Sequence, residues 1–329
     1  MSASDSELRP ISIVTPCRNA RDTVGAAIES VLAQRYPRLE HIVMDGASSD
    51  GTLEVLARYP HLRVVSEPDQ GLYDALNQGI ALARGELVGW LNADDMYADG
   101  ALLAIAEAFR NDPGLEMVCG DAQVIEETGA GWSAVHRHSF TRPEDFRRRE
   151  IRHGGALLNA CLFSRALLER VGPFDASYRI SGDKDYLLRL ALDGPSSLNL
   201  ARVTYIYRRH SGSMTLVKRE FDTIRLRQSQ ERLRIYPEYM LRSDVPRAIR
   251  TYCLERYREE VFALGRHYVK ARAFRAGLGL LRRALSLDRR FVLWATARTA
   301  SALLAPFPLR TRARAEGTTE RNAILGPPR

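Results

Sequence analysis

The apolar positions of the first hundred residues fall into two alternating patterns. Residues 11–15, 40–44, 62–65 and 87–91 are short apolar runs, too short for helices and rich in β-branched residues. Each predicts a buried strand. Between them, residues 24–33, 52–59 and 72–84 carry apolar side chains at helical spacing, as in Ala75, Leu76, Ile80 and Ala83. Strands alternating with helices over short connections predict a parallel, doubly wound sheet. A helix over 101–109 follows. Residues 117–119 and 123–125 then predict antiparallel strands, with Gly120-Asp121 and Thr128-Gly129 as turns and 132–137 pairing back. Beyond Lys218 the pattern predicts helices over 220–234, 247–264, 268–287 and 291–304.

Each of the first four strands ends in a polar cluster. In an open α/β sheet those carboxyl ends lie along one edge, where ligands bind. The geometry therefore gathers Thr15, Asp45, Asp69 and Asp94. There is no G-x-G-x-x-G after the first strand, so a dinucleotide fingerprint is absent. Asp45-Gly46 also reads as a turn dipeptide. Asp94 and Asp95, just past a buried strand, have two readings. They cap the helix that follows, or they hold a hard divalent cation such as Mg²⁺, which takes carboxylate oxygens and leaves room for substrate phosphates.

Charge divides the chain. Residues 1–217 hold 23 Lys+Arg against 29 Asp+Glu, and residues 218–329 hold 25 against 11. The basic C-terminal region implies an anionic partner, and peripheral contact with a membrane surface is the expectation. Residues 291–304, with Trp294 and flanking Arg289, Arg290, Arg310, Arg312 and Arg314, fit an interfacial helix or one packed on the catalytic domain. No nucleic-acid partner is expected. The patch at 142–152, with Arg147-Arg148-Arg149, reads as a solvated helix. Four scattered cysteines without a C-x-x-C pair predict reduced thiols in a reducing compartment. Residues 1–10 show no signal-like apolar region, and no run is long enough to span a bilayer. The expected location is the cytoplasm, at the inner face of the plasma membrane.

The segments TPCRN, MDGASSDGT and SEPDQGLYDALNQGIALARGELVGWLNADD, in this order, resemble the family 2 glycosyltransferases of the GT-A fold. The resemblance runs from Ile11 to about Arg209. It implies a Rossmann-like, mixed but mainly parallel sheet flanked by helices, with an α-helical extension. It implies transfer of a sugar from a UDP- or GDP-linked donor to an acceptor hydroxyl, with inversion, in surface polysaccharide or glycolipid biosynthesis. Asp45 sits where the family contacts the nucleotide base, with Thr15, Pro16, Arg18 and Asn19 bordering that pocket. Asp69, Gly71 and Asp74 match the loop over the nucleoside and diphosphate. Asn92-Ala93-Asp94-Asp95 matches the acidic metal motif, with Asn92 where many members carry Asp. Asp94 and Asp95 would hold Mg²⁺ or Mn²⁺, and His210 would join them or the diphosphate. Arg208 and Arg209 would clamp the diphosphate. His153-Gly154-Gly155 and Gly172-Pro173-Phe174-Asp175 match the segment that precedes the family's catalytic acid motif. Asp183 aligns with the base, and a carboxylate at a helix N-terminus is held ionised by backbone N–H groups. Asp185, in the same motif, would contact substrate; read from the residues alone, Asp183 caps the helix and Asp185 pairs with Arg189 at i,i+4.

The implied domains are a catalytic region over 1–217, with donor binding in 1–95 and acceptor binding in 96–217, and a basic helical region over 218–329. A nucleotidyltransferase is the enzymatic alternative, but residues 15–19 lack its Gly-rich basic loop. A non-catalytic nucleotide-sugar-binding scaffold is the other. A processive synthase would need membrane spans and Gln-x-x-Arg-Trp, and neither is present.

Overall fold

In a computed structural model, residues 8–128, 131–138, 158–210 and 221–304 are described. Strands β1 (Ile11–Cys17), β2 (Leu39–Asp45), β3 (Arg63–Ser66) and β4 (Leu87–Trp90) alternate with helices α1 (Val24–Leu32), α2 (Thr52–Leu56) and α3 (Leu72–Leu82). The four strands are parallel, in the order β3-β2-β1-β4. Beyond β4 the sheet turns mixed. It continues through β8 (Cys161–Ser164), β6 (Met117–Thr128), β9 (Ser197–Arg209) and β5 (Met96–Tyr97), and β7 (Gly131–His138) hairpins onto β6. Helix α4 (Ala101–Asn111) follows β5, α5 (Arg165–Val171) follows β8, and α6 (Gly182–Asp193) precedes β9. This is the predicted mixed, mainly parallel α/β architecture. The fully buried β1 and β4 explain why their runs do not alternate between buried apolar and exposed polar positions.

Two expectations change. Residues 117–125 are not two strands around a Gly120-Asp121 turn. They are one strand, irregular in its pairing with β9 on either side of Asp121. Gly120 serves close packing instead, since a Cβ there would collide with the Thr204 side chain. The four cysteines are not all thiols. Cys119 and Cys161 stand directly opposite on β6 and β8, with Cα atoms 4.0 Å apart, and are joined by a disulfide. Cys17 and Cys253 are free and buried. Thiol usage therefore gives no support to a reducing compartment.

The C-terminal helices are α7 (Phe221–Met240), α8 (Arg247–Lys270), α9 (Phe274–Leu287) and α10 (Phe291–Leu304). Contacts divide the chain into one unit over Met1–Leu281, which includes the sheet, α7 and α8, and a second over Arg282–Arg329. Among the described residues no helix is long and apolar enough to cross a membrane. The basic patch at 142–152, the His153 segment, and residues 211–215 and 305–314 lie outside the described residues.

Candidate active site

The parallel register sets Cys17 beside Asp45 and Asp45 beside Ser66. The ladder continues past the strand ends. Gly46 N–H donates to Cys17 O at 2.9 Å, and Glu67 N–H donates to Asp45 O at 3.0 Å. The first three loops are thereby joined along one edge, as the β-α-β order predicts. Asn19 and Ala47 take left-handed φ values of 50° and 55°. Such backbone costs about 1–2 kcal/mol per non-glycine residue. Asn19 is held there by its N–H to Ser48 Oγ (2.7 Å) and by Ser49 N–H to its own Oδ1 (3.0 Å).

The predicted residues of these loops divide by what their side chains touch. Thr15 is buried, and its hydroxyl meets His41 Nε2 at 2.8 Å inside the core. Pro16 is buried, whereas Arg18 and Asn19 are exposed at the edge. The Asp45 carboxylate accepts from Ser48 N–H (3.1 Å), Ser48 Oγ (2.5 Å) and Ser66 Oγ (2.6 Å), so it ties the second loop to β3. Asp69 accepts from Gly71 N–H at 2.8 Å and packs against Gly46, where any Cβ would strike its carboxylate. Asp74 accepts from Gln70 N–H (2.9 Å) and Gln78 Nε2 (3.2 Å), closing the turn into α3.

The acidic motif does not cap a helix. Asn92–Asp95 form a turn closed by Asp95 N–H to Asn92 O (3.1 Å), β5 follows, and Gly100 takes the N-cap position of α4. The two aspartates have different surroundings. Asp95 is buried, and its carboxylate accepts from the Tyr205 hydroxyl (2.5 Å), Arg208 N–H (2.9 Å) and Asn92 Nδ2 (3.2 Å). Burial, then the neighbouring Asp94, pushes its carboxyl up to about 7. Asp94 keeps 36% of its side chain exposed, and its Oδ2 lies 3.5 Å from His210 Nε2. Arg208 holds this turn from behind. Its guanidinium donates to Asp94 O (2.6 Å) and to Thr23 O (3.1 Å), two backbone carbonyls. Arg209 follows it at the end of β9, half-buried.

These residues fit a divalent cation. Asp94 and His210 offer one carboxylate oxygen and one imidazole nitrogen side by side. Among the described residues no third His, Cys, Asp or Glu joins them. A small protein ligand set suits Mg²⁺ or Mn²⁺, whose remaining positions go to water and substrate phosphates.

Asp183 lies in the first turn of α6 and is half-buried. Its Oδ1 accepts from Lys184 N–H at 2.8 Å and lies 3.5 Å from the Tyr73 hydroxyl, which donates to Ile180 O at 2.9 Å. Gly182 makes this possible, because a Cβ there would sit 2.7 Å from the Tyr73 ring. Beneath lies a stack of rings: Tyr73 on Phe174 (5.4 Å), Phe174 on Tyr186 (4.1 Å) and Trp90 on Phe163 (4.9 Å). Asn77 fixes Phe174 by bonding both its N–H and its C=O, each at 2.8 Å. Asp185 is buried. It accepts from Tyr239 of α7 (2.6 Å) and from Arg189 (2.9 Å), the pairing expected at i,i+4. Lys184 is buried too, which pulls its ammonium down to about 8.

The structure thus joins Asp94 to His210, and the Gly71–Tyr73 turn to the Asp183 segment. It also brings in residues the motifs did not single out. Arg179 places its guanidinium against Gly71. Tyr205 and Asn159 link Asp95 to Trp90, with Asn159 Oδ1 accepting from Trp90 Nε1 at 2.6 Å and its Nδ2 donating to Tyr205 at 3.2 Å. Only Arg179 had a local signal, an exposed cation just before the acidic helix start.

A family model described as glycosyl transferase family 2 matches residues 12–172. An uncharacterized glycosyltransferase of Mycobacterium tuberculosis is 33% identical over 190 residues, 55% of this chain and 69% of that protein. A PGL/p-HBAD biosynthesis glycosyltransferase of Mycobacterium bovis is 29% identical over 220 residues, 64% of this chain and 81% of that protein. Among solved structures, mannosyltransferase PcManGT from Pyrobaculum calidifontis, in complex with GDP-Man and Mn²⁺, aligns with a TM-score of 0.56 at 22% identity, covering 91% of this chain and 87% of its own. S. aureus TarS 1–349, in complex with UDP-GlcNAc, aligns at 0.54 and 17% identity, covering 89% and 83%. At those identities the two structures bear on the fold, which is GT-A-like.

Proposed function

The chain belongs to glycosyl transferase family 2 and is a glycosyltransferase, and on that premise we propose that it moves a sugar from a UDP- or GDP-linked donor to an acceptor hydroxyl, with inversion and with Mg²⁺ or Mn²⁺. The observation that carries this reading is the Asp94–His210 pair, 3.5 Å apart, on the sheet edge where the loops after β1, β2 and β3 converge. The nucleoside lies over Arg18, Asn19 and the Asp45–Ser48 loop, and its diphosphate extends toward Asp69 and Gly71. Asp94 and His210 would hold the cation; Asp95, expected beside Asp94 as a ligand, is instead engaged by Tyr205, Arg208 N–H and Asn92, and with the Arg208 guanidinium on Asp94 O it holds the turn that carries Asp94. The chemistry a bound cation supplies there is neutralisation of the leaving diphosphate. Asp183 takes the proton of the acceptor hydroxyl as its oxygen bonds to the sugar C1 and the C1–phosphate bond breaks on the opposite face. The electron pair of that bond leaves with the nucleoside diphosphate. Arg209 and Asp185 serve the same region, the first from the end of β9 and the second by anchoring α6.

Residues 1–217 act as the catalytic domain, with donor binding in 1–95 and acceptor binding in 96–217. The region over 218–329 is its helical extension. The acceptor is a sugar, lipid-linked sugar or polysaccharide hydroxyl, and the enzyme works at the inner face of the plasma membrane. Helix α9 supports that location. Phe274, Leu278 and Leu281 recur at helical spacing and are 66%, 50% and 37% exposed, and Asp288 is the one acid between Gly265 and Leu304. An apolar stripe in so basic a stretch fits an anionic bilayer.

The test is a thermal-shift panel of UDP, GDP and TDP with and without Mn²⁺. The cognate nucleotide raises the melting temperature by mass action, more with Mn²⁺ than without. Asp94→Ala removes the metal-dependent part. An unchanged Mn²⁺ effect in that variant refutes the metal site, and no shift with any nucleotide refutes the donor site.

A further inference from the structure

Helix α7 lies outside the matched family region, yet it reaches the start of α6. Glu231 on α7 is 6% exposed. A buried carboxylate is costly unless it is hydrogen-bonded. Three consecutive backbone N–H groups converge on this one: Arg179 N at 2.8 Å on Oε1, and Ile180 N at 3.1 Å and Ser181 N at 2.7 Å on Oε2. These amides open the entry to α6, whose N-cap residue Ser181 makes no side-chain cap bond. The carboxylate from α7 caps the turn in its place. The same turn is held from the other side, because Ile180 O accepts from the Tyr73 hydroxyl at 2.9 Å. Helix α7 is itself anchored. Glu260 of α8 accepts from Ser229 (2.7 Å) and Arg232 (3.0 Å), and Tyr239 donates to Asp185 of α6 (2.6 Å).

We propose that Glu231 is a positioning residue for sugar transfer: it sets the 179–183 backbone from which Arg179 faces Gly71 and Asp183 faces the acceptor. The proposal rests on the reading of Asp183 as the base. Displacing a catalytic group by about 1 Å costs on the order of 10²-fold in rate. Nucleotide binding by the β1–β3 loops makes no use of Glu231.

The experiment compares full-length Glu231→Gln, Asp183→Asn and the double variant. Gln keeps the size but turns an NH₂ toward N–H donors. Nucleoside diphosphate release is followed from UDP-GlcNAc and GDP-mannose with Mn²⁺, and UDP and GDP affinity is measured separately. Glu231→Gln lowers kcat by about 10–100-fold, leaves the nucleotide Kd within about threefold, and adds no further loss to Asp183→Asn, because groups acting as a unit are not additive. A multiplicative loss in the double variant, or an unchanged kcat in Glu231→Gln, overturns the proposal. Unaltered turnover in Asp183→Asn instead overturns the base assignment. Amide exchange then decides on Glu231, as it does if neither donor turns over. Exchange over 179–181 speeds up at least about tenfold in Glu231→Gln while 11–17 and 39–45 keep their protection. Unchanged exchange at 179–181 overturns the proposal.

Discussion

Tyr205→Phe tests how the acidic turn is held. The substitution removes one oxygen and leaves the ring. In the wild type that buried hydroxyl donates to the buried Asp95 at 2.5 Å and accepts from the half-buried Asn159 at 3.2 Å. A hydrogen bond to a charged group contributes about 1.5–3 kcal/mol, and loss of the bond to the half-buried Asn159 amide adds up to about 1 kcal/mol. The expected loss is about 2–4 kcal/mol. For a domain of this size it lowers the melting temperature by about 4–10 °C. Tyr97→Phe is the internal control. Tyr97 is also buried, and its ring meets Tyr205 edge to face, but its hydroxyl reaches Trp90 O only at 3.4 Å. A bond that long is weak, so the control costs less than about 1 kcal/mol. Both variants are measured at pH 8 by urea unfolding and by thermal melts, with and without nucleotide and Mn²⁺. Tyr205→Phe also shrinks the Mn²⁺-dependent shift, because Asp95 no longer fixes the turn that presents Asp94. A melting loss within about 2 °C of the Tyr97→Phe value refutes this account of the Asp95 network.

Three further outcomes follow from other parts of the molecule. Burial lowers the His41 imidazole to about 3 from its ordinary 6.5, so below pH 6.5 the unfolded chain binds a proton that the folded chain refuses. Stability is therefore lost as pH falls from about 6.5 toward 3, and His41→Asn flattens that slope in urea titrations; an equal slope contradicts the assignment. Gly182→Ala drives a methyl into the Tyr73 ring at 2.7 Å and costs about 1–3 kcal/mol by overpacking, with kcat falling more than nucleotide affinity; a neutral variant contradicts the Tyr73–Gly182 contact. Alkylation of the unfolded chain labels two cysteines without reductant and four with it, read by intact mass, because Cys119 and Cys161 are joined; four labels without reductant contradict the bridge. The bridge closes a separation of 42 residues, which corresponds to about 4 kcal/mol in the chain-entropy account.

The sequence by itself determined the β-α-β order, and with it the edge along which the loops after β1 to β4 lie. Periodicity is local, and right-handed crossover connections leave little freedom in how such units assemble. The polar cluster at Asn92–Asp95 and the loops at Asp45 and Asp69 were legible for that reason, whereas the helix start at Asp183 was legible through the family resemblance. Tertiary structure alone decided what each of those side chains does. Asp94 and Asp95 are neighbours in sequence, yet one stays open beside His210 and the other is closed by Tyr205, Arg208 and Asn92. Thr15 and Asp185 look like site residues by motif, but His41 and Tyr239 occupy them. Cys119 and Cys161 pair through strand register across 42 residues, which no local spacing encodes. Glu231 reaches the 179–181 turn from some fifty residues downstream. A carboxylate's role depends on which donors reach it, and those donors arrive from distant strands and helices only once the chain has packed.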